Sequence, residues 1–119
     1  MKVVVLGASD KADRYSNKAV LKLKECNYDV LPVNTAGKVI HGIQSIKNLS
    51  DINDSFHTLT FYVNPKISDS LESQILALDF KRAIFNPGTE NDGLEKKLEE
   101  KGVEVLRACT LVMLSTEQF

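Results

Sequence analysis

Short apolar runs alternate along this chain with stretches in which apolar residues recur every three or four positions. The first run, Val3-Val4-Val5-Leu6, is unbroken, so Lys2 to Leu6 predicts a parallel strand covered on both faces. The turn Gly7-Ala8-Ser9 follows, then a polar, partly basic loop through Asp10, Lys11, Ala12, Asp13 and Arg14 to Tyr15. With Ser16 as its N-cap, a helix to Cys26 puts Ala19, Val20, Leu23 and Cys26 on one face, and Asn27 can end it. A buried strand, a glycine turn and a helix form half of a βαβ unit.

The alternation continues. Val30 to Val33 reads as a second strand, and Pro32, which has no amide hydrogen to donate, assigns it to a sheet edge or to the strand's last residues. Asn34 to Ser55 is irregular: a long crossing loop with a short strand at Val39-Ile40 and a helical turn near Leu49 to Ile52. Leu59 to Val63 is the third main strand, and its alternation sends Phe61 and Tyr62 to opposite layers. Asn64-Pro65 stops it. Ser68 is read as the cap of a helix carrying Leu71, Ile75 and Leu78. Ala83 to Phe85 is the fourth strand, closed by the turn Asn86-Pro87-Gly88. Asp92 is read as the cap of a helix with Leu94 and Leu98 inward and Gly102 just past its end. Val103 to Leu106 is the last strand, and an apolar tail from Leu111 to Leu114 packs back. The expected architecture is an α/β, Rossmann-like, doubly wound three-layer sandwich with about five parallel strands.

In such sheets ligands bind beyond the carboxyl ends of the strands. Gly7 to Ser9, Asn34 with Thr35, Val63 to Pro65, Asn86 to Gly88 and Arg107 to Thr110 would all meet at that edge. They are small or neutral polar residues and turn formers, with no obvious acid/base pair.

Composition adds limits. With 119 residues and 43% hydrophobic content the expectation is one domain, 1–119, able to build its own core. A net charge of -1 gives no reason to invoke nucleic acid or an acidic membrane. Two widely separated cysteines make no disulfide framework, and the apolar start is too short for a signal peptide or span, so a cytoplasmic setting is expected. His41 and His57 lack metal-ligand spacing and read as loop or surface residues. Cys26 reads as core, and Glu95 to Glu100 as a solvated helix face.

The first turn invites a test for dinucleotides. Of the three spaced glycines of that fingerprint only Gly7 is present, with Ser9 and Ala12 at the other two positions. Asn34 stands where NAD-binding domains usually carry a ribose-binding acid. Both departures weigh against NAD(P).

The motifs in order are Gly7-Ala8-Ser9, Lys11 to Arg14 leading to Tyr15-Ser16, Pro32-Val33-Asn34 with Gly37-Lys38, Tyr62 to Pro65, Pro87-Gly88, and Cys109. Their succession resembles the small bacterial CoA-binding proteins, which are similar to the N-terminal domain of the succinyl-CoA synthetase alpha subunit. The resemblance implies that Ser9, Asp10, Lys11 and Ala12 surround the CoA phosphates. It implies that Lys38 is the CoA-contacting lysine, and that Val63, Asn64 and Pro65 lie against the nucleotide. Thr35 and Thr110 replace prolines usual in the family, and both bear on the adenine end of the implied groove. The synthetase subunit carries its phosphorylated histidine on a second domain with no counterpart in this sequence, so the resemblance implies binding of CoA or acyl-CoA without catalysis.

The chemistry agrees. CoA carries several negative charges, and Lys11, Arg14, Lys18, Lys38 and Lys66 fall near the expected ligand edge. Gly7 to Arg14 and the start of the first helix would hold the pyrophosphate. Asn34, Lys38 and Val63 to Pro65 would hold the adenosine, with Asn86, Pro87 and Gly88 lining the other side. Cys109 is assigned to packing, with a meeting of thiols as the alternative. Two other readings remain: a small NAD(P)-dependent or acyl-transferring enzyme subunit completed by a protein partner, and a regulatory module with a vestigial pocket.

Overall fold

A computed structural model describes residues 1–119. Five parallel strands form one sheet: β1 (Lys2–Leu6), β2 (Asp29–Val33), β5 (Phe56–Phe61), β6 (Phe80–Phe85) and β7 (Glu104–Arg107), in the spatial order β2-β1-β5-β6-β7. The expected doubly wound α/β sandwich is borne out. Val3, Val4 and Val5 are wholly buried in β1, which explains why that strand shows no polar alternation. β2 lies at the edge, one of the two placements that Pro32 allowed.

Helices α1 (Tyr15–Glu25) and α5 (Thr110–Ser115) cover one face, through Val20, Leu23 and Leu114 packed against Val3 and Val5. The opposite face packs Val4, Leu6, Leu59, Phe61 and Phe85 under α3 (Glu72–Leu76) and α4 (Asp92–Glu100), with α2 (Pro65–Ser70) leading into α3. Phe61 and Phe85 stack across adjacent strands with centroids 4.1 Å apart. Phe61 and Tyr62 do face opposite layers.

The crossing loop is more structured than expected. It holds a two-stranded hairpin, β3 (Val39–Ile40) with β4 (Ile43–Gln44), and a 3-10 turn at Leu49–Asp51. Between them Ile46 runs along the outer edge of β2: its amide donates to the Pro32 carbonyl (3.0 Å) and its carbonyl accepts from Asn34 N (2.9 Å).

Several helix starts differ from the expectation. The N-cap of α1 is Arg14, and Ser16 is buried within the first turn. Asn64, not Ser68, caps α2, its side chain accepting from Ile67 N with Pro65 at the first helical position. The helix then breaks at Leu71, the junction of α2 and α3. Asn91, one residue before Asp92, caps α4. For α2 and α4 the fold selects among nearby residues with similar capping chemistry, whereas α1 starts at Arg14 with no side-chain cap. Cys26 is exposed rather than core, because α1 ends at Glu25 and the buried face stops at Leu23. Glu95 is not solvated but buried, bonded to the Asn91 amide and to Arg107.

Candidate functional site

The strand order reverses between β1 and β5, so the turns after these two strands sit side by side at the carboxyl edge. Gly7 takes a left-handed backbone, φ 87°. A Cβ on it would lie 2.8 Å from both the Tyr62 carbonyl oxygen and Val63 Cγ1. Glycine is therefore required twice over, for its conformation and for the close approach of the two turns.

Three clefts open around this contact. One, of about 290 Å³, lies on the α2 side, with Gly7, Ala8, Asn34, Thr35 and Val63 in its walls beside Lys47, Asn48, Ile67 and Leu71. A second, of about 240 Å³, is lined by Gly7, Ser9, Arg14, Tyr15, Ser16 and Tyr62. The third, of about 300 Å³, is lined by Tyr15, Tyr62, Asn86, Pro87, Cys109 and Leu111. The second shares Gly7 with the first, and Tyr15 and Tyr62 with the third.

The loop between β1 and α1 is held by its neighbours. Ala8 N donates to the Val33 carbonyl (3.0 Å), and Asn34 Nδ2 donates to the Ala8 carbonyl (2.8 Å). Asn34 Oδ1 accepts from Ala36 N (2.9 Å), which closes the turn after β2. Asn17 Nδ2 donates to the Ser9 carbonyl (2.9 Å), and Asn17 Oδ1 lies 2.7 Å from His41 Nε2 at the tip of the hairpin. Lys11 N bonds Ser9 Oγ (3.1 Å) and Arg14 N bonds the Lys11 carbonyl (3.1 Å). The amides of Ser9 and Asp10, and those of Tyr15, Ser16 and Asn17 in the first turn of α1, have no acceptor within the protein, and no side chain caps this helix. A helix start with open amides is positive and suited to an anion.

The expected site residues divide by position. Gly7, Ala8, Ser9, Arg14, Tyr15, Asn34, Val63, Asn86 and Pro87 line one or more of the clefts. Asp10, Lys11 and Ala12 are exposed and line none, as are Lys38 and Gly88. Asn64 and Pro65 form the start of α2. Asn86 is buried and its side chain is engaged in the fold: Nδ2 donates to Thr60 Oγ1 (2.7 Å) and the Phe61 carbonyl (2.8 Å), and Oδ1 accepts from Thr110 N (2.8 Å). Sequence reasoning missed Asn17 and Lys47. Lys47 enters the first cleft across the left-handed Gly37, where a Cβ would meet its Cε at 2.8 Å. Gly37 and Lys47 lie ten residues apart in sequence, and no local pattern there sets this lysine apart from the other surface cations.

Tyr62 closes the floor between the second and third clefts, with a buried hydroxyl that has no hydrogen-bond partner. Burial pushes its phenol up to about 12. The folded state thus holds this proton more tightly than the unfolded chain, so stability is unaffected below pH 10 and falls as pH rises from there towards 12. The loss should be on the order of 1 kcal/mol by pH 11. Tyr62→Phe is expected to leave stability at pH 8 within about 0.5 kcal/mol, since it removes an unpartnered hydroxyl, and to shed the alkaline loss. Urea unfolding of both proteins at pH 8 and 11 checks this; equal alkaline slopes would refute it.

The chain matches the CoA-binding domain family over residues 1–115. It belongs to that family. It is 38% identical to a crystallised uncharacterized protein, with a TM-score of 0.88 over 99% of this chain and 97% of the other. A hypothetical protein from Pyrococcus horikoshii is 27% identical with a TM-score of 0.87, covering 96% of this chain and 81% of that one. The uncharacterized protein YneT of Bacillus subtilis is 22% identical over 105 residues, 88% of this chain and 78% of its own length. Within the CoA-binding domain family, the resemblance first drawn from the motifs is therefore correct. No helix in the chain is long and apolar enough to cross a membrane.

Proposed function

We propose that the protein binds coenzyme A or an acyl-CoA without catalysing a reaction of its own, and that the pyrophosphate sits at the start of α1. The observation that carries this reading is the open first turn of α1, with Arg14 in the wall of the cleft in front of it. Arg14 can grip a phosphate through two parallel bonds while the main-chain amides cover the remaining oxygens. Adenosine would occupy the first cleft, between the Asn34–Thr35 turn and the apolar wall of Val63, Ile67 and Leu71. Lys47 in that cleft is the better-placed cation for the 3′-phosphate than Lys38, which lines no cleft.

Two observations support binding over chemistry and CoA over NAD. No Asp, Glu or His lines any of the three clefts, so the acid–base groups that do, Lys47, Tyr15, Tyr62 and Cys109, have no carboxylate or imidazole beside them in the lining. At the end of β2, Asn34 Oδ1 already accepts an amide and leaves no carboxylate for ribose hydroxyls.

A ligand titration tests the reading. CoA at 100 times its dissociation constant should stabilise the fold by about 2.7 kcal/mol, and NAD at the same concentration should leave the melt unmoved. Arg14→Gln should weaken CoA and dephospho-CoA alike, by roughly tenfold. Lys47→Gln should weaken CoA alone, and Lys38→Gln neither. A wild-type melt indifferent to CoA overturns the proposal and favours an interaction module; a shift with NAD but not CoA favours the enzyme reading.

A further inference from the structure

We propose that the cleft lined by Tyr15, Tyr62, Asn86, Pro87, Cys109 and Leu111 takes the thioester end of a CoA ester whose acyl group is short and uncharged, and rejects acyl groups ending in a carboxylate. The inference rests on the CoA reading and extends it from the cofactor to its cargo.

Continuity comes first. Tyr15 and Tyr62 wall both this cleft and the phosphate seat, so a ligand anchored at the start of α1 passes directly from one to the other. Size comes second. About 300 Å³ has room for roughly ten non-hydrogen atoms at the ~30 Å³ that a water takes in the liquid. The aminoethanethiol end of CoA uses part of that and leaves space for a few carbons.

Charge decides the class. The phosphate seat has Arg14 in its wall and the α2-side cleft has Lys47, but none of these six residues is Lys, Arg or His. Lys18 approaches, with its Nζ 5.5 Å from the Tyr15 ring centroid, yet it does not line the cleft. The one amide in the wall, Asn86, has its donors on Thr60 and Phe61 and its acceptor on Thr110 N. A carboxylate entering here gives up water and finds no cation, only the tyrosine hydroxyls as donors, which leave its charge unpaired. An acetyl or butyryl group meets Pro87, Leu111 and the tyrosine rings instead.

Acetyl-CoA and malonyl-CoA differ by one carboxylate and make the sharpest comparison, with butyryl-CoA and free CoA as references. Calorimetric titration of the wild-type protein should give acetyl- and butyryl-CoA affinities within about threefold of CoA or tighter, and malonyl-CoA at least tenfold weaker than acetyl-CoA. Leu111→Lys places an ammonium in the wall and should shrink the acetyl/malonyl gap to roughly threefold or reverse it. If that variant does not fold, the wild-type series still decides. Malonyl-CoA binding as tightly as acetyl-CoA overturns this inference and leaves the CoA reading standing. Failure of every CoA species to bind overturns both.

Discussion

Gly7→Ala should lower stability by about 3 kcal/mol and weaken CoA binding in the same protein. Two penalties add. A side chain in the left-handed region costs on the order of 1 to 2 kcal/mol. The new methyl would also stand 2.8 Å from the Tyr62 carbonyl and from Val63 Cγ1, and relieving such a clash costs another 1 to 3 kcal/mol, roughly. Gly88→Ala separates the two terms. Its φ is 91°, close to that of Gly7, but an added Cβ meets nothing within 4 Å, so only about 1 kcal/mol is expected. Urea unfolding of both variants provides the comparison. Equal losses would mean that backbone strain alone sets the requirement and that the turns after β1 and β5 are not pressed together. The link to binding follows from position. Gly7 borders the phosphate seat and the α2-side cleft, so pushing β1 away from β5 alters both at once.

The layered fold was legible because its signals are local. Val3 to Val5 form a run too apolar for any strand but a central one. Pro32 pointed to an edge or a strand end for β2, which lies at the edge, and Asn27 and Gly102 both end their helices with positive φ as expected. Cap positions were less legible. Ser16, Ser68 and Asp92 are all good caps in isolation, and the fold uses Arg14, Asn64 and Asn91 instead. For α2 the sequence did hold the deciding clue: an asparagine directly before a proline supplies both a cap and a first helical residue.

The site divides the same way. The first turn could be found because it depends on three adjacent residues, Gly7, Ala8 and Ser9. Choosing among the cations could not be done locally. Lys11, Lys38 and Lys47 look alike in a sequence, and only the course of Ile46 along the edge of β2 brings the next residue over the cleft. Asn17 was hidden for a related reason. It sits inside a helix, and its two partners, Ser9 and His41, lie on the loop before that helix and on the β3–β4 hairpin beyond β2.

Asn86 is the residue whose meaning changes most between sequence and structure. Followed by proline and glycine, it reads as a turn former that faces a ligand. Its partners lie on β5 and at the start of α5, 24 to 26 residues away, and no local pattern announces them. Asn86→Ala removes three buried hydrogen bonds and leaves the Thr110 amide and the Phe61 carbonyl short of a partner, so a loss of about 3 kcal/mol or more is expected. Asn86→Asp is more discriminating. It keeps an acceptor for Thr110 N but turns a carboxylate oxygen towards the Phe61 carbonyl, where a donor is required. Burial and that carbonyl both favour the protonated acid, so the folded-state pKa of the new group lies above its unfolded value. Its stability contribution is then present at low pH and lost as pH rises, and the variant should recover part of the wild-type stability between pH 7 and 5. Urea midpoints across that range measure it. Thr110 follows Cys109, so loosening the start of α5 also deforms the proposed acyl cleft, and acetyl-CoA affinity should fall with stability. A change of less than about 1 kcal/mol in Asn86→Ala, with a selective loss of CoA binding, would instead return Asn86 to the ligand-facing role that its sequence context suggests.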